Sequence, residues 1–308
     1  MPEVLIVGDD SEYYGQLLDA MKLPEWHCRC LENPLIAGES FTNVEVLFGP
    51  PDLLLQILPQ CASLKWVQSS WAGVTPLTRG TRRDFRLTGV KGIFGELMRE
   101  YVLGWMLALE RNIPARASAR SWQPVIDGSL HGKSLGVMGT GSIGCSVAQA
   151  AKGFGLEVRG LNSDGRPVQG FDVCFDTASA LEFAEGLDYL VALLPATNAT
   201  TGLINESVFE ALSPGAVFIN AGRANCLVLD GLKAMLASGK LRAAVLDVLD
   251  REPLPESDPL WALENLYITS HTAAPTQASA VVAVFAENYR RFVAGDPLLY
   301  QVDFERGY

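Results

Sequence analysis

Lys133-Ser134-Leu135-Gly136-Val137-Met138-Gly139-Thr140-Gly141-Ser142-Ile143-Gly144 is a short apolar strand that runs into G-x-G-x-x-G and then, through Ser146-Val147-Ala148-Gln149-Ala150-Ala151-Lys152, into a helix. Gly155-Leu156-Glu157-Val158-Arg159-Gly160-Leu161 follows as a second strand, so the glycines stand in a complete βαβ context and not in an isolated turn. The glycines have separate roles. Gly139 permits the tight turn, Gly141 lets backbone N–H groups approach a pyrophosphate, and Gly144 lets the helix lie close on the strand. The phosphates would then meet the positive end of the helix dipole. Gly139, Thr140, Gly141, Ser142, Ile143 and Gly144 are therefore candidate dinucleotide-binding residues.

Further along, strand signals recur at 187–194, 216–220, 243–248 and 267–269. Nearly continuous apolar runs such as Tyr189-Leu190-Val191-Ala192-Leu193-Leu194 suit strands of a parallel sheet buried on both faces. Upstream, strand and helix signals alternate: strand 4–7, helix 14–21, then strands near 26–31, 44–48 and 64–68. A helical run over 95–117, with Tyr101, Val102, Trp105, Met106 and Leu109 at helical spacing, reads as a connector whose apolar residues are core. The last helix, 277–293, has no strand after it and is expected to pack back on the first domain. The alternation predicts an α/β protein of two doubly wound parallel-sheet domains, with 95–274 as the dinucleotide-binding domain and 1–94 with 275–308 as the other.

Composition narrows the range of functions. An apolar fraction of 48% and a charged fraction of 19% over 308 residues are those of a globular protein large enough for two cores. No apolar run approaches the roughly 18 residues of a membrane span, and Met1-Pro2-Glu3-Val4 opens directly into a strand, so a cytoplasmic protein is expected. Thirty-five acidic against 24 basic residues, net −11, argue against nucleic acid or an anionic membrane as the main partner. An anionic substrate would need local positive charge. The 6 cysteines lack a C-x-x-C pair, which fits reduced thiols; Cys28 and Cys30 alternate along a strand, and no metal site is expected.

In an open parallel sheet, ligands bind beyond the carboxyl ends of the strands. That rule selects Gly139–Gly144, Asn162, Ser163, Pro195, Ala196, Arg223, Glu252 and His271. Arg223 follows Ile219-Asn220-Ala221-Gly222 and can offer a planar fork to a carboxylate. Alone it could equally cap loops or pair with Asp172, as Glu252 could be a solvated loop acid. His271, in Thr269-Ser270-His271-Thr272, stands past the last strand, whereas His27 and His131 read as structural. An imidazole beside a carboxylate is a general acid/base pair; with a nicotinamide nearby, the chemistry is carbonyl reduction, which should weaken as rising pH deprotonates the donor.

These segments together resemble the D-isomer-specific 2-hydroxyacid dehydrogenases, nearest to the glyoxylate/hydroxypyruvate reductase group. The resemblance runs through Leu64-Lys65-Trp66-Val67-Gln68-Ser69-Ser70-Trp71-Ala72-Gly73-Val74, Phe94-Gly95-Glu96, Glu100-Tyr101-Val102, the glycine motif, Leu193-Leu194-Pro195, Ile219-Asn220-Ala221-Gly222-Arg223, Asp247, Glu252-Pro253 and Ser270-His271. It implies a Rossmann domain inserted into a smaller flavodoxin-like substrate domain, and a homodimer. Arg223 would bind and polarise a small 2-oxo acid, with Glu252 tuning His271 as the acid/base. Leu194, Pro195, Asn220, Ala221 and Asp247 would line the cofactor, Asp247 near the nicotinamide amide. Trp71, Ala72, Gly73 and Val74 would present backbone N–H groups to the substrate carboxylate, and Phe48 would wall the pocket. The chain departs from the family where Thr269-Ser270-His271 replaces the usual Thr-Pro-His, and where Arg223 is followed by Ala224 in place of glycine.

An NAD site usually carries Asp or Glu roughly 20 residues past the glycines, at the end of the second strand. Here that position is Asn162, with Ser163 and Arg166 able to bind a 2′-phosphate, so NADP is favoured over NAD; Asp164 could restore the ribose contact. Two competing readings remain at this level: a nucleotide-sensing protein on the same fold with little turnover, and a dehydrogenase for formate or phosphite.

Overall fold

The computed structural model describes residues 1–308 apart from 36, 37, 39, 123, 125–127 and 308. The chain separates into two compact units, Met1–Ile93 with Thr276–Tyr308, and Phe94–Pro275.

The first unit is built on β1 (Val4–Val7), α1 (Ser11–Ala20), β2 (Cys28–Leu31), β3 (Val46–Gly49), α2 (Pro51–Ile57), β4 (Trp66–Ser69), α3 (Thr75–Arg79) and β5 (Arg86–Thr88). Its five strands are all parallel in the order β2-β1-β3-β4-β5, a flavodoxin-like order. Val4 to Val7 and Val46 to Gly49 are buried throughout, the signature of strands covered on both faces.

The second unit opens with α4 (Gly95–Glu110) and α5 (Ile113–Ser118). The single helix expected over 95–117 is broken in two, because Asn112 takes a left-handed φ of 50° and Pro114 can neither donate an N–H nor sit against the carbonyl a turn earlier. There follow β6 (Ser134–Met138), α6 (Ser142–Gly153), β7 (Glu157–Leu161), β8 (Val173–Phe175), α7 (Ala180–Ala184), β9 (Tyr189–Ala192), α8 (Glu206–Ala211), β10 (Ala216–Asn220), α9 (Leu229–Ala237), β11 (Leu241–Leu246) and β12 (Leu266–Ile268). The seven strands, all parallel, run β12-β11-β10-β9-β6-β7-β8. The order reverses between β6 and β9, which is the switch point of a Rossmann sheet.

The final helix, α10 (Ala278–Ala294), belongs to the first unit. Its apolar stripe of Val281, Val282, Phe285 and Tyr289 is buried, and the Phe285 ring stacks on Phe48 at 4.6 Å and on Trp66 at 5.0 Å between centroids. Asn288 is fully buried and fully bonded: its amide donates to Leu299 O and Gln68 Oε1, and its Oδ1 accepts from Leu299 N at 2.7 Å. Among the described residues no helix is long and apolar enough to cross a membrane.

Candidate active site

In the second unit the loops after five adjacent strands are tied to one another at the carboxyl edge of the sheet. A Cβ on Gly139 would lie 2.8 Å from Leu193 O, so the loops after β6 and β9 touch; Gly139 meets the turn with a φ of +106°. A Cβ on Gly222 would lie 2.7 Å from Leu194 N, which brings in the loop after β10. Asp247 N donates to Asn220 O at 2.9 Å, and Thr269 N to Leu246 O at 3.1 Å, adding the ends of β11 and β12. Gly139 to Gly144, Leu194, Pro195, Asn220 to Arg223, Asp247, Glu252 and His271 thus gather on one edge.

The start of α6 suits an anion. Gly141 is its N-cap with no side-chain cap, and Cβ space at Gly141 is open, with no atom within 4 Å. By contrast a Cβ on Gly144 would sit 1.9 Å from Gly139 O, so only glycine lets the helix pack this close to the turn. Uncapped first-turn amides beside open space are what a pyrophosphate requires. The chain's residues therefore fit the dinucleotide.

At the end of β7, Asn162 is buried and turned into its own loop: its Nδ2 donates to Arg166 O at 2.9 Å and to Thr140 Oγ1 at 3.3 Å, and its Oδ1 accepts from Asp164 N. Arg166 is exposed, and one of its guanidinium nitrogens donates to both Asp164 oxygens at 2.7 and 3.0 Å, which holds the Asp164 carboxyl below the usual carboxylate range. Ser163 is exposed beside them.

Asn220 is fully buried, and its side chain is spent on the loop that carries Arg223: Oδ1 accepts from Gly222 N, and Nδ2 donates to Arg223 O. Arg223 lies partly buried, one guanidinium N–H donating to Gly222 O at 2.7 Å. Burial lowers its pKa, while nearby Cys226 and Glu252 oppose the shift; the guanidinium remains a cation. Asp172, a conceivable partner for this arginine, is paired instead with Lys152 at 2.7 Å.

His271 Nδ1 lies 2.8 Å from Glu252 Oε2, and the other Glu252 oxygen accepts from Leu249 N at 2.8 Å. With both carboxylate oxygens engaged, the ring is fixed through Nδ1 and its Nε2 is left for a ligand. Ser270 and His271 both have left-handed backbones, with φ of 56° and 58°. Proline, the usual family residue at 270, cannot adopt that φ, so serine is matched to this turn. Such a conformation costs a non-glycine residue about 1–2 kcal/mol and persists only when the surroundings enforce it.

Asp247 supplies much of that enforcement. It is 4% exposed, its carboxylate accepts from Thr272 N, Ala273 N and Thr269 Oγ1, and its carbonyl accepts from His271 N at 2.7 Å. Expected as a cofactor contact, its side chain is occupied by the histidine turn. Sequence reasoning also misses Leu249 N, a backbone group without a residue-type signal, and the Tyr101 hydroxyl, which lies 2.7 Å from Thr269 Oγ1.

In the first unit, the loop after β4 is tied by Ser69, whose Oγ donates to Trp71 O at 2.8 Å and accepts from Trp71 N at 3.1 Å. Trp71 N is thereby used. The amides of Ala72 and Gly73 make no backbone hydrogen bond among the described residues, and Trp71 itself is exposed. Phe48 requires a correction: it is fully buried, stacked between Tyr14 and Phe285, and its side chain has no surface to offer a substrate. Its ring points to the core because β3 is covered on both faces.

A Rossmann sheet with a fitting glycine turn and an imidazole–carboxylate pair on the same edge defines a nicotinamide-dinucleotide oxidoreductase. Residues 103–273 match the description D-isomer specific 2-hydroxyacid dehydrogenase, NAD binding domain. The chain is 34% identical over 218 residues to glyoxylate/hydroxypyruvate reductase A of Klebsiella pneumoniae, covering 70% of each. Among solved structures it is similar to a D-isomer specific 2-hydroxyacid dehydrogenase family protein from Aeromonas salmonicida (38% identity, TM-score 0.91, 98% and 99% of the chains covered). It is also similar to an NADPH-dependent glyoxylate/hydroxypyruvate reductase from Sinorhizobium meliloti in complex with NADP and sulfate (28% identity, TM-score 0.88, all of both chains). The chain belongs to the D-isomer-specific 2-hydroxyacid dehydrogenase family and is an NAD(P)-dependent enzyme of that family.

Proposed function

We propose that the enzyme reduces a short 2-oxo acid such as glyoxylate or hydroxypyruvate to the D-2-hydroxy acid, with NADPH preferred over NADH. The observation that carries this reading is the 2.8 Å contact between His271 Nδ1 and Glu252, with Arg223 in the electrostatic field of the same carboxylate. When bound, the reduced nicotinamide supplies the hydride. Arg223 holds the substrate through its carboxylate and keto oxygen and draws electron density from the carbonyl carbon. His271, protonated, gives the Nε2 proton to that oxygen as the C–H bond forms, and Glu252 stabilises the imidazolium from Nδ1. By the family resemblance the amides of Ala72, Gly73 and Val74 are assigned to the substrate carboxylate, those of Ala72 and Gly73 making no backbone hydrogen bond among the described residues, while the Trp71 amide is already held by Ser69.

The preference for NADPH rests on a neutral Asn162, the exposed Ser163 and the Arg166 guanidinium, which a 2′-phosphate could share with or take from Asp164. The NADP complex of the Sinorhizobium relative supports it. The homodimer implied by the family completes the reading, and sedimentation would then give twice the 33.3 kDa chain mass.

The test is His271→Ala, assayed by loss of reduced-cofactor absorbance with glyoxylate and hydroxypyruvate. The variant should lose about a hundred- to ten-thousandfold in kcat while still binding NADPH. Full turnover by the variant, or no turnover of either acid by the parent enzyme, would overturn the assignment.

A further inference from the structure

The turn that carries His271 is held by hydroxyl groups as well as by Asp247. Thr269 Oγ1 donates to Asp247 Oδ1 at 2.6 Å, and Tyr101 Oη lies 2.7 Å from the same threonine oxygen. A threonine hydroxyl has a single proton. Since the buried Asp247 carboxylate can only accept, that proton is committed to it, and Tyr101 must be the donor to Thr269. The direction of the chain is therefore fixed: Tyr101 to Thr269 to Asp247. The same Oδ1 accepts from Thr272 N and Ala273 N, just past the left-handed Ser270–His271 pair, and Asp247 O accepts from His271 N. Tyr101 stands on α4, remote in sequence from the turn.

We infer that Tyr101 is a positioning residue for His271. Its phenolic O–H fixes the rotor of the Thr269 hydroxyl, which keeps Asp247 Oδ1 in place over the 272 and 273 amides and so aims the imidazole. Burial pushes the Tyr101 hydroxyl well above the usual tyrosine range, so it stays protonated as this role requires. The inference rests on His271 being the acid/base proposed above.

The experiment compares Tyr101→Phe, Thr269→Val, Thr269→Ser and the Tyr101→Phe/Thr269→Val double variant in the full chain. Steady-state reduction of glyoxylate by NADPH is combined with NMR of the histidine Hε1 protons; there are 3 histidines, and His271 is assigned by its absence in His271→Ala. Tyr101→Phe and Thr269→Val should each lower kcat about tenfold with KM for NADPH within about twofold, and should move the His271 resonance while those of His27 and His131 stay. Thr269→Ser should retain activity, and the double variant should be no worse than Thr269→Val, since both act through one chain. Parental kcat and an unmoved His271 resonance in Tyr101→Phe would overturn the inference, as would additive losses. The His271→Ala assay separates the two claims: if that variant turns over normally, the acid/base assignment fails, whereas the resonance shift still judges the positioning.

Discussion

At the scale of single residues, the two helix-start glycines act differently, and substitution should separate them. Gly144→Ala places a methyl 1.9 Å from Gly139 O, so α6 must move off the turn. A loss of about 1–3 kcal/mol of stability is expected, as for overpacked sites, together with weakened dinucleotide binding. Gly141→Ala meets open space and should lower the melting temperature far less, only by what alanine gives up to glycine as an N-cap, while its methyl obstructs a bound pyrophosphate. Thermal melts alongside NADPH titration distinguish them; equal melting temperatures for the two variants would contradict these separate roles. Asp164 offers another single-residue test. Because it engages Arg166, Asp164→Asn should free the guanidinium and raise the NADPH-to-NADH ratio of kcat/KM, and Arg166→Ala should lower it. Residue-type logic singles out the glycines, the arginine and the imidazole as candidates, because their chemistry is particular to them. It does not find the Tyr101–Thr269–Asp247 chain, since a tyrosine at helical spacing and a threonine after a strand read as core and loop. Phe48 misleads for the opposite reason: proximity to a strand end says nothing about which way the ring turns.

At the scale of elements, legibility follows burial and length. Ser134–Met138 and Ala216–Asn220 are readable to the residue because strands covered on both faces are largely uninterrupted apolar runs. The three-residue β5 and β8 are not: Arg86-Leu87-Thr88 and Val173-Cys174-Phe175 lie at sheet edges and are too short to show a pattern. One such edge is secured by charge. Asp172, just before β8, accepts from Lys152 of α6 at 2.7 Å and from Val158 N of β7 at 2.8 Å, and these contacts hold its carboxyl below the ordinary value. A carboxyl whose folded pKa is depressed stabilises the fold above its unfolded pKa of about 3.9, and that contribution disappears as pH falls through the lower folded value. The side chain is 43% exposed, so solvent screening limits the effect. Asp172→Asn should thus be destabilised by no more than about 1 kcal/mol at neutral pH, with the gap to the parent closing in acid. Urea melts at pH 7 and pH 3 would check the sign.

At the scale of the whole chain, the two units are supplied differently, and this has a consequence for how the protein comes apart. Phe94–Pro275 is one continuous segment with its own seven-stranded sheet, whereas the other unit must wait for residues 276–308 to complete it. The completing helix contributes more than cover. Phe285 is fully buried between the Phe48 and Trp66 rings, Tyr289 donates to Glu25 O, and Asn288 bonds both Gln68 and Leu299. Replacing Phe285 by alanine removes a ring from a stacked cluster, and a loss of about 3–5 kcal/mol is typical of such a change. That is a large share of the stability of a domain of this size. The loss should fall on the first unit, to which the rings packed against Phe285, those of Trp26, Phe48, Trp66 and Tyr289, all belong. Phe285→Ala should therefore unfold in two steps, the first abolishing 2-oxo acid reduction while NADPH is still bound, and the second abolishing NADPH binding. 2-Oxo acid reduction and NADPH fluorescence followed through one urea titration would read the steps separately, and a single coincident transition would show that the two units stand or fall together.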